Sequence, residues 1–355
     1  MKSRKIALAL GLATALVALV PQAQAETLRL LTWGGYAPQN VIDMFKAETG
    51  HDVEVTLSNN EEMISKLRAT GGSGFDLAQP SQDRILGPQL EFGIYKPLDL
   101  DKVDASLFIP SMLEATKVNT TVDGAVYGIP HIWGTDGLVV NTAAAPGVVD
   151  YLDLCDPAYA GKVSYRLRRP TLIAFAFSMG LDPFAAYGDT AAYQGLLSEV
   201  EAKLRECKAN VKTYWGGGDE ITGLIRSGEV VAAMAWDTGG WALNAENPDI
   251  RFIAPASGAM GWIDTFVIPS GGEADEAAYA WINFVMRPDV AALITASAGN
   301  FTASQGADAL VDEALKARYQ ASFPAEAVDN INWYPPVPAG LESLEGAVLD
   351  RVNAS

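Results

Sequence analysis

The chain has 355 residues, 49% of them hydrophobic, with 43 acidic side chains against 25 basic ones and a formal net charge of −18. A chain this acidic repels nucleic acid and anionic membrane surfaces, so neither is an expected partner. With two histidines and two cysteines, it has little raw material for a zinc cluster or a Ser-His-Asp centre, and no cofactor is expected.

The first segment reads as a secretory leader. Lys2, Arg4 and Lys5 form a basic start, Ile6 to Val20 is an apolar run, and Ala23-Gln24-Ala25 is a small-residue cleavage site. The run is shorter than the ~20 residues a membrane span needs. The expected signal peptide is 1–25, with Glu26 opening a mature chain of 330 residues destined for export. Loss of three basic residues takes Lys+Arg from 25 to 22 against 43 acids, a mature charge of about −21. That length suits two domains. An even cysteine count in an exported chain points to a Cys155–Cys207 disulfide. No Gly-x-Ser-x-Gly elbow accompanies these features, which argues against an exported hydrolase.

Thr27 to Trp33 reads as a buried strand, followed by a Gly34-Gly35-Tyr36 turn and a helix opened by Pro38 and stopped by Gly50. Asp52 to Leu57 alternates as a second strand. Asn59 with Glu62 reads as a capping box for a helix carrying Met63, Ile64 and Leu67. Phe75 to Pro80 is a short third strand, ending at Ser81-Gln82-Asp83. Strand, helix, strand, helix, strand implies a parallel sheet with covered faces. Ligands in such sheets sit at the carboxyl ends of strands, where Trp33, Tyr36 and Ser81 fall. Asp83 reads as an exposed turn residue.

Val126 to Gly134 and the strand Gly137 to Asn141 read as a crossing into a second lobe, with His131 and Trp133 as packing. Val163 to Tyr165 is a strand followed by Arg166-Leu-Arg168-Arg169-Pro170, and a helix starts near Thr171. Ala192 to Cys207 is amphipathic. The glycines at 216–218 read as a helix entry with Asp219 as cap. Val230 to Asp237 is a buried strand ending in Trp236-Asp237. Asp237 is either a second amine partner or a cap for the turn Thr238-Gly239-Gly240. In Trp262-Ile-Asp264, side chains two apart on a strand share a face. A flat π surface beside a carboxylate suits a cationic amine. Two helices follow, the second restarted by Pro288 and ending near Gly299. Trp333 and Tyr334 read as lobe-closing core.

The motif order Thr32-Trp33-x-x-Tyr36-x-Pro38, Phe75-Asp76-Leu77 to Pro80-Ser81, Gly128-Ile-Pro-x-x-Trp133-Gly134, Gly228-Glu229 to Trp236, Trp262-x-Asp264 to Ile268-Pro269, and Asn283-Phe284-x-x-Arg287-Pro288-Asp289 resembles the periplasmic spermidine/putrescine-binding proteins of ABC importers. The resemblance runs from Thr27 to Trp333. It implies an α/β two-lobe periplasmic binding protein fold, each lobe a mainly parallel sheet flanked by helices, with a ligand cleft between the lobes. The expected division is 26–135 with 261–305 as one lobe and 136–260 with 306–355 as the other. The implied role is capture of a small amine and delivery to inner-membrane permease subunits by a monomer that catalyses nothing. The resemblance carries Trp33, Tyr36, Ser81, Trp236, Trp262 and Asp264 into the cleft, adds Phe301 beside Asn300 as an aromatic position, and implies a closing hinge motion.

One departure stands out. Polyamine binders of this family carry acids just after the strand that is here Val163 to Tyr165. This chain has Arg166, Arg168 and Arg169. A guanidinium fork suits a carboxylate, so the expected ligand is a zwitterionic amine such as γ-aminobutyrate, its ammonium at Asp264 and its acid at Arg168. Solvated arginines would instead leave a polyamine as the ligand.

Overall fold

The computed structural model describes residues 25–323, 327 and 330–355. The expected leader, apart from Ala25, lies outside the described residues.

Three strands form a parallel sheet in the order Asp52–Leu57, Thr27–Thr32, Leu77–Ala78. Two helices connect them. Gln39–Thr49 starts after Pro38 and ends on Gly50 in the left-handed region. Asn60–Thr70 is capped by Asn59, whose side chain accepts from the Glu62 N–H and donates to the Glu62 carboxylate. All three strands therefore point their carboxyl ends the same way, placing Trp33, Tyr36 and Ser81 along one rim.

The larger sheet has eight strands. Its path runs Asn332–Trp333, Met260–Phe266, Ile129–Asn141, Ala232–Trp236, Val163–Tyr165, Val211–Tyr214, with Ile250–Ile253 and Phe301–Thr302 also pairing with Ile129–Asn141. Ala232–Trp236, Val163–Tyr165 and Val211–Tyr214 are mutually parallel. Ile129–Asn141, expected as a crossing segment to Gly134 and then a strand from Gly137 to Asn141, is one strand of 13 residues and runs antiparallel to all four of its neighbours.

Two hydrophobic cores explain its length. Ile129 and Ile132 pack with Leu28, Phe45 and Trp281, whereas Leu138 and Val140 pack with Tyr165, Phe175 and Leu197. Met260–Phe266 repeats the pattern: Met260 belongs to the second core, Phe266 to the first, and Trp262 touches both. These two paired strands carry the chain between the cores, and the cavity lies beside them. Cys155 and Cys207 are disulfide-bonded with Cα atoms 4.6 Å apart, tying the short helix Tyr151–Cys155 to the end of the helix Thr190–Cys207.

Candidate functional site

A cavity of about 520 Å³ opens between the strand ends, lined among others by Trp33, Tyr36, Ser81, Asp136, Arg166, Trp236, Trp262, Asp264 and Tyr334. Its first wall begins at the Gly34-Gly35 turn. Gly35 has φ +86°, and a Cβ there would sit 2.9 Å from the Ala298 backbone, so only glycine lets the turn close against its neighbour. Trp33 is anchored by its Nε1–H donating to the Gln79 carbonyl at 2.8 Å.

Asp264 is the centre of this wall. It is 3% exposed and lies beside Ser81 through a single bridge between the two backbones. The Tyr36 hydroxyl and the Ser81 hydroxyl each donate to its carboxylate at 2.6 Å. Asn60 holds Ser81 in turn, accepting from its N–H and donating to its Oγ, both at 2.9 Å. Burial pushes the Asp264 carboxyl up to about 7, against the Ser81 and Tyr36 hydrogen bonds that favour its ionised form. Two hydroxyls leave lone pairs over, so a cationic donor entering the cavity still finds an acceptor.

Trp262 lies flat over the neighbouring strand because its partner is Gly134. A Cβ at Gly134 would stand 2.5 Å from the indole. Trp236 pairs with Asp136 across the next strand boundary. Asp136 is 4% exposed and lines the cavity. Burial pushes its carboxyl up to about 7, Arg166 pulls it down, and Asp237, Asp264 and Asp83 push it up further.

The three arginines go to three places. Arg169 is buried in an ion-pair network, donating to Asp83 at 2.9 Å and Glu345 at 3.2 Å and to the Tyr187 hydroxyl. Arg168 is exposed at the cavity rim and donates to the Leu167 carbonyl at 3.3 Å. Arg166 is half-buried against the rings of Trp215 and Trp236, 5.3 and 5.2 Å from their centroids, and among the described residues it has no salt bridge. Its Nε, the Trp262 Nε1 and the Tyr334 hydroxyl are buried without a hydrogen-bond partner in the protein. The three residues line the cavity; the arginine and indole nitrogens can only donate, and the phenol can donate or accept.

Several expectations change here. Asp83 is not an exposed turn residue: it is 4% exposed, because Arg169 needs its charge. Asp237 takes the structural alternative. It is 2% exposed, and its carboxylate accepts from Thr135 N–H and Oγ, Thr238 N–H and Asn300 Nδ2; it does not line the cavity. Phe301 also stands outside the lining, packed on Trp133 and Tyr319 with ring centroids 5.9 and 5.5 Å away, because its strand pairs with Ile129–Asn141 and turns the ring away; Asn300 lines the cavity instead. Trp333 is 40% exposed rather than core, and only Tyr334 is buried. The helix after the triple glycine is entered at Gly217, with Asp219 inside its first turn. Asp136 is the cavity residue that sequence reasoning missed, although an acid within an apolar strand and next to Gly137 is an unusual enough pattern to notice.

A model of the bacterial extracellular solute-binding protein family matches residues 40–322. The chain is 29% identical over 328 residues to the spermidine/putrescine-binding periplasmic protein of Escherichia coli, covering 90% of each. It is 27% identical over 354 residues to the putrescine-binding periplasmic protein of the same organism, covering 93% of this chain and 90% of that one. Its fold is that of a spermidine/putrescine ABC transporter substrate-binding protein from Streptococcus pneumoniae, with a TM-score of 0.73 at 23% identity over 93% of this chain and 99% of that one. Solute-binding proteins of this kind take up small molecules and work with membrane permease components. The chain belongs to the bacterial extracellular solute-binding proteins, and within them it is an ABC importer component of the polyamine-binding type, not an enzyme.

Proposed function

We propose that this receptor captures a small amine that also carries a carboxylate, an ω-amino acid of the γ-aminobutyrate type. The ammonium sits on Asp264 and the alkyl chain lies against Trp33, Trp236 and Trp262. One observation carries the acid end. Arg166 lines the cavity with its guanidinium over two indole rings and no salt bridge among the described residues, a cation that calls for an anionic acceptor, and a diamine brings none. Arg166 is the guanidinium best set to meet the acid, with Arg168 behind it at the rim. In this reading the chain is exported through its 1–25 leader, works as a periplasmic monomer, and closes two lobes (26–135 with 261–305, and 136–260 with 306–355) on its ligand before docking on permease subunits.

A second reading rests on Asp136. A second buried carboxylate in the cavity favours a diamine such as putrescine, the ligand named for the E. coli relatives. Calorimetric titration of mature protein, stripped of ligand by unfolding and refolding, separates the two. Binding of γ-aminobutyrate with no heat from putrescine supports the zwitterion; binding of putrescine alone refutes it.

A further inference from the structure

The cavity's charges are not fully accounted for by either simple ligand. Arg84 is paired with Glu342 and Glu61, and Arg169 with Asp83 and Glu345. Glu61, Asp219 and Arg168 are exposed at the rim, where water screens them. Three charges remain inside: the carboxylates of Asp264 and Asp136 and the guanidinium of Arg166. A ligand that answers all three carries two positive groups and one negative group.

The strand register sets these groups in order. On Met260–Phe266, Met260 faces Asp136, Trp262 faces Gly134, and Asp264 faces Ile132. The rows of Asp136 and Asp264 are four residues apart, about 14 Å at ~3.4 Å per residue. Trp262 fills the row between them. Trp236 pairs with Asp136 on the far side and carries the Arg166 guanidinium over its ring. The order along the wall is therefore Asp264, Trp262, Asp136, Trp236, Arg166.

Asp136 is more than nine-tenths buried, and among the described residues no side chain or backbone N–H hydrogen-bonds its carboxylate. Its recorded hydrogen bond is through the backbone carbonyl, which accepts from the Tyr151 hydroxyl at 3.0 Å. Its carboxylate opens on the cavity and Arg166 lies beyond ion-pair distance of it, so a cationic group of a bound ligand can take the place of solvent there.

Resting on the reading that the cleft takes an amine bearing an acid, we infer that Asp136 is a second ammonium subsite and that the ligand is a small α,ω-diamino acid. Its ω-ammonium meets Asp264 and its chain crosses Trp262. The α-ammonium meets Asp136, and the α-carboxylate beside it meets the Arg166 guanidinium. An acid and a guanidinium separated by the Trp236 ring at one end of the wall offer one site to the ammonium and one to the carboxylate that such a ligand carries on its α-carbon.

Three related probes test this on the refolded mature protein: L-ornithine, 5-aminopentanoate, which lacks the α-ammonium, and putrescine, which lacks the carboxylate. Ornithine is expected to bind at least ten-fold tighter than either. Asp136→Asn is expected to weaken ornithine ten-fold or more while leaving 5-aminopentanoate unchanged, with a ligand-free melting temperature no lower than that of wild type. If 5-aminopentanoate binds as tightly as ornithine and Asp136→Asn moves neither, the second subsite is refuted and the zwitterion reading stands. If putrescine binds tightest, the diamino-acid ligand and the zwitterion reading fall together, and Asp136 is left as the second site of a diamine.

Discussion

Replacing Asp264 by Asn should move affinity and stability in opposite directions. In the free protein the Asp264 carboxyl is 3% exposed and held up near 7 by burial, from an ordinary 3.8. A rise of about three units corresponds to roughly 4 kcal/mol at 1.36 kcal/mol per unit. The folded state keeps a proton that the unfolded state has lost between pH values of about 4 and 7. The penalty is therefore absent below about pH 4, grows through that window, and is complete above it. Asn removes this charge at the cost of charge-assisted hydrogen bonds from Tyr36 and Ser81, for which its oxygen can accept only part of the replacement. Relative to wild type, the variant should gain stability as pH rises from about 4 to 7 and level off above that. Binding goes the other way. Leaving a ligand ammonium buried without its carboxylate costs about 2–5 kcal/mol, roughly 30- to 5,000-fold in affinity. Wild-type amine affinity should itself fall as pH drops below about 7 and the carboxyl takes up its proton. Calorimetry and thermal melts across this pH range read both quantities. An Asp264→Asn protein that binds amine within about three-fold of wild type, or whose melting difference is flat with pH, would show that the ionised carboxylate is neither the amine anchor nor strained by burial.

Three other outcomes follow from the geometry. Arg169→Met leaves Glu345 buried without its cation and Asp83 with only the longer Arg84 contact at 3.6 Å, and the loss on a urea unfolding curve should be about 3–5 kcal/mol; the loss should be reduced if Asp83→Asn and Glu345→Gln are added. Replacing Cys155 and Cys207 by Ala opens a loop of sequence separation 52 and should lower stability by about 4 kcal/mol on the chain-entropy model, with ligand affinity unchanged at temperatures where the variant is folded. Gly134→Ala drives a methyl into the Trp262 ring, 2.5 Å from its nearest atom. Affinity should fall about ten-fold through the displaced indole, with a smaller effect on melting, because the strand backbone itself tolerates alanine.

What the sequence made legible was whatever is local. The first three strands and two helices follow from hydrophobic period and from punctuation by Pro38, Gly50 and Asn59, whose effects act within a few residues. Trp262 and Asp264 share a face because strand geometry demands it, and the ends of parallel strands carry Trp33, Tyr36 and Ser81 to one rim. Pairing across the fold was not legible. Asp83 and Asp237 look like turn residues in sequence, yet one answers an arginine 86 positions away and the other accepts from a threonine 102 positions away. Nothing near either residue encodes those partners. The arginine run shows the same limit at single-residue resolution. Arg166, Arg168 and Arg169 are chemically equivalent in the sequence, but an extended residue at 168, before the helix Arg169–Ser178 begins, sends them to an aromatic shelf, to solvent and into a buried network. Two positions of backbone direction thus decide which cation the cavity keeps. On the proposed zwitterion reading, where the family resemblance implies carboxylates, that choice turns one end of the cleft from acid-bearing to acid-accepting without altering the wall proposed to hold the amine.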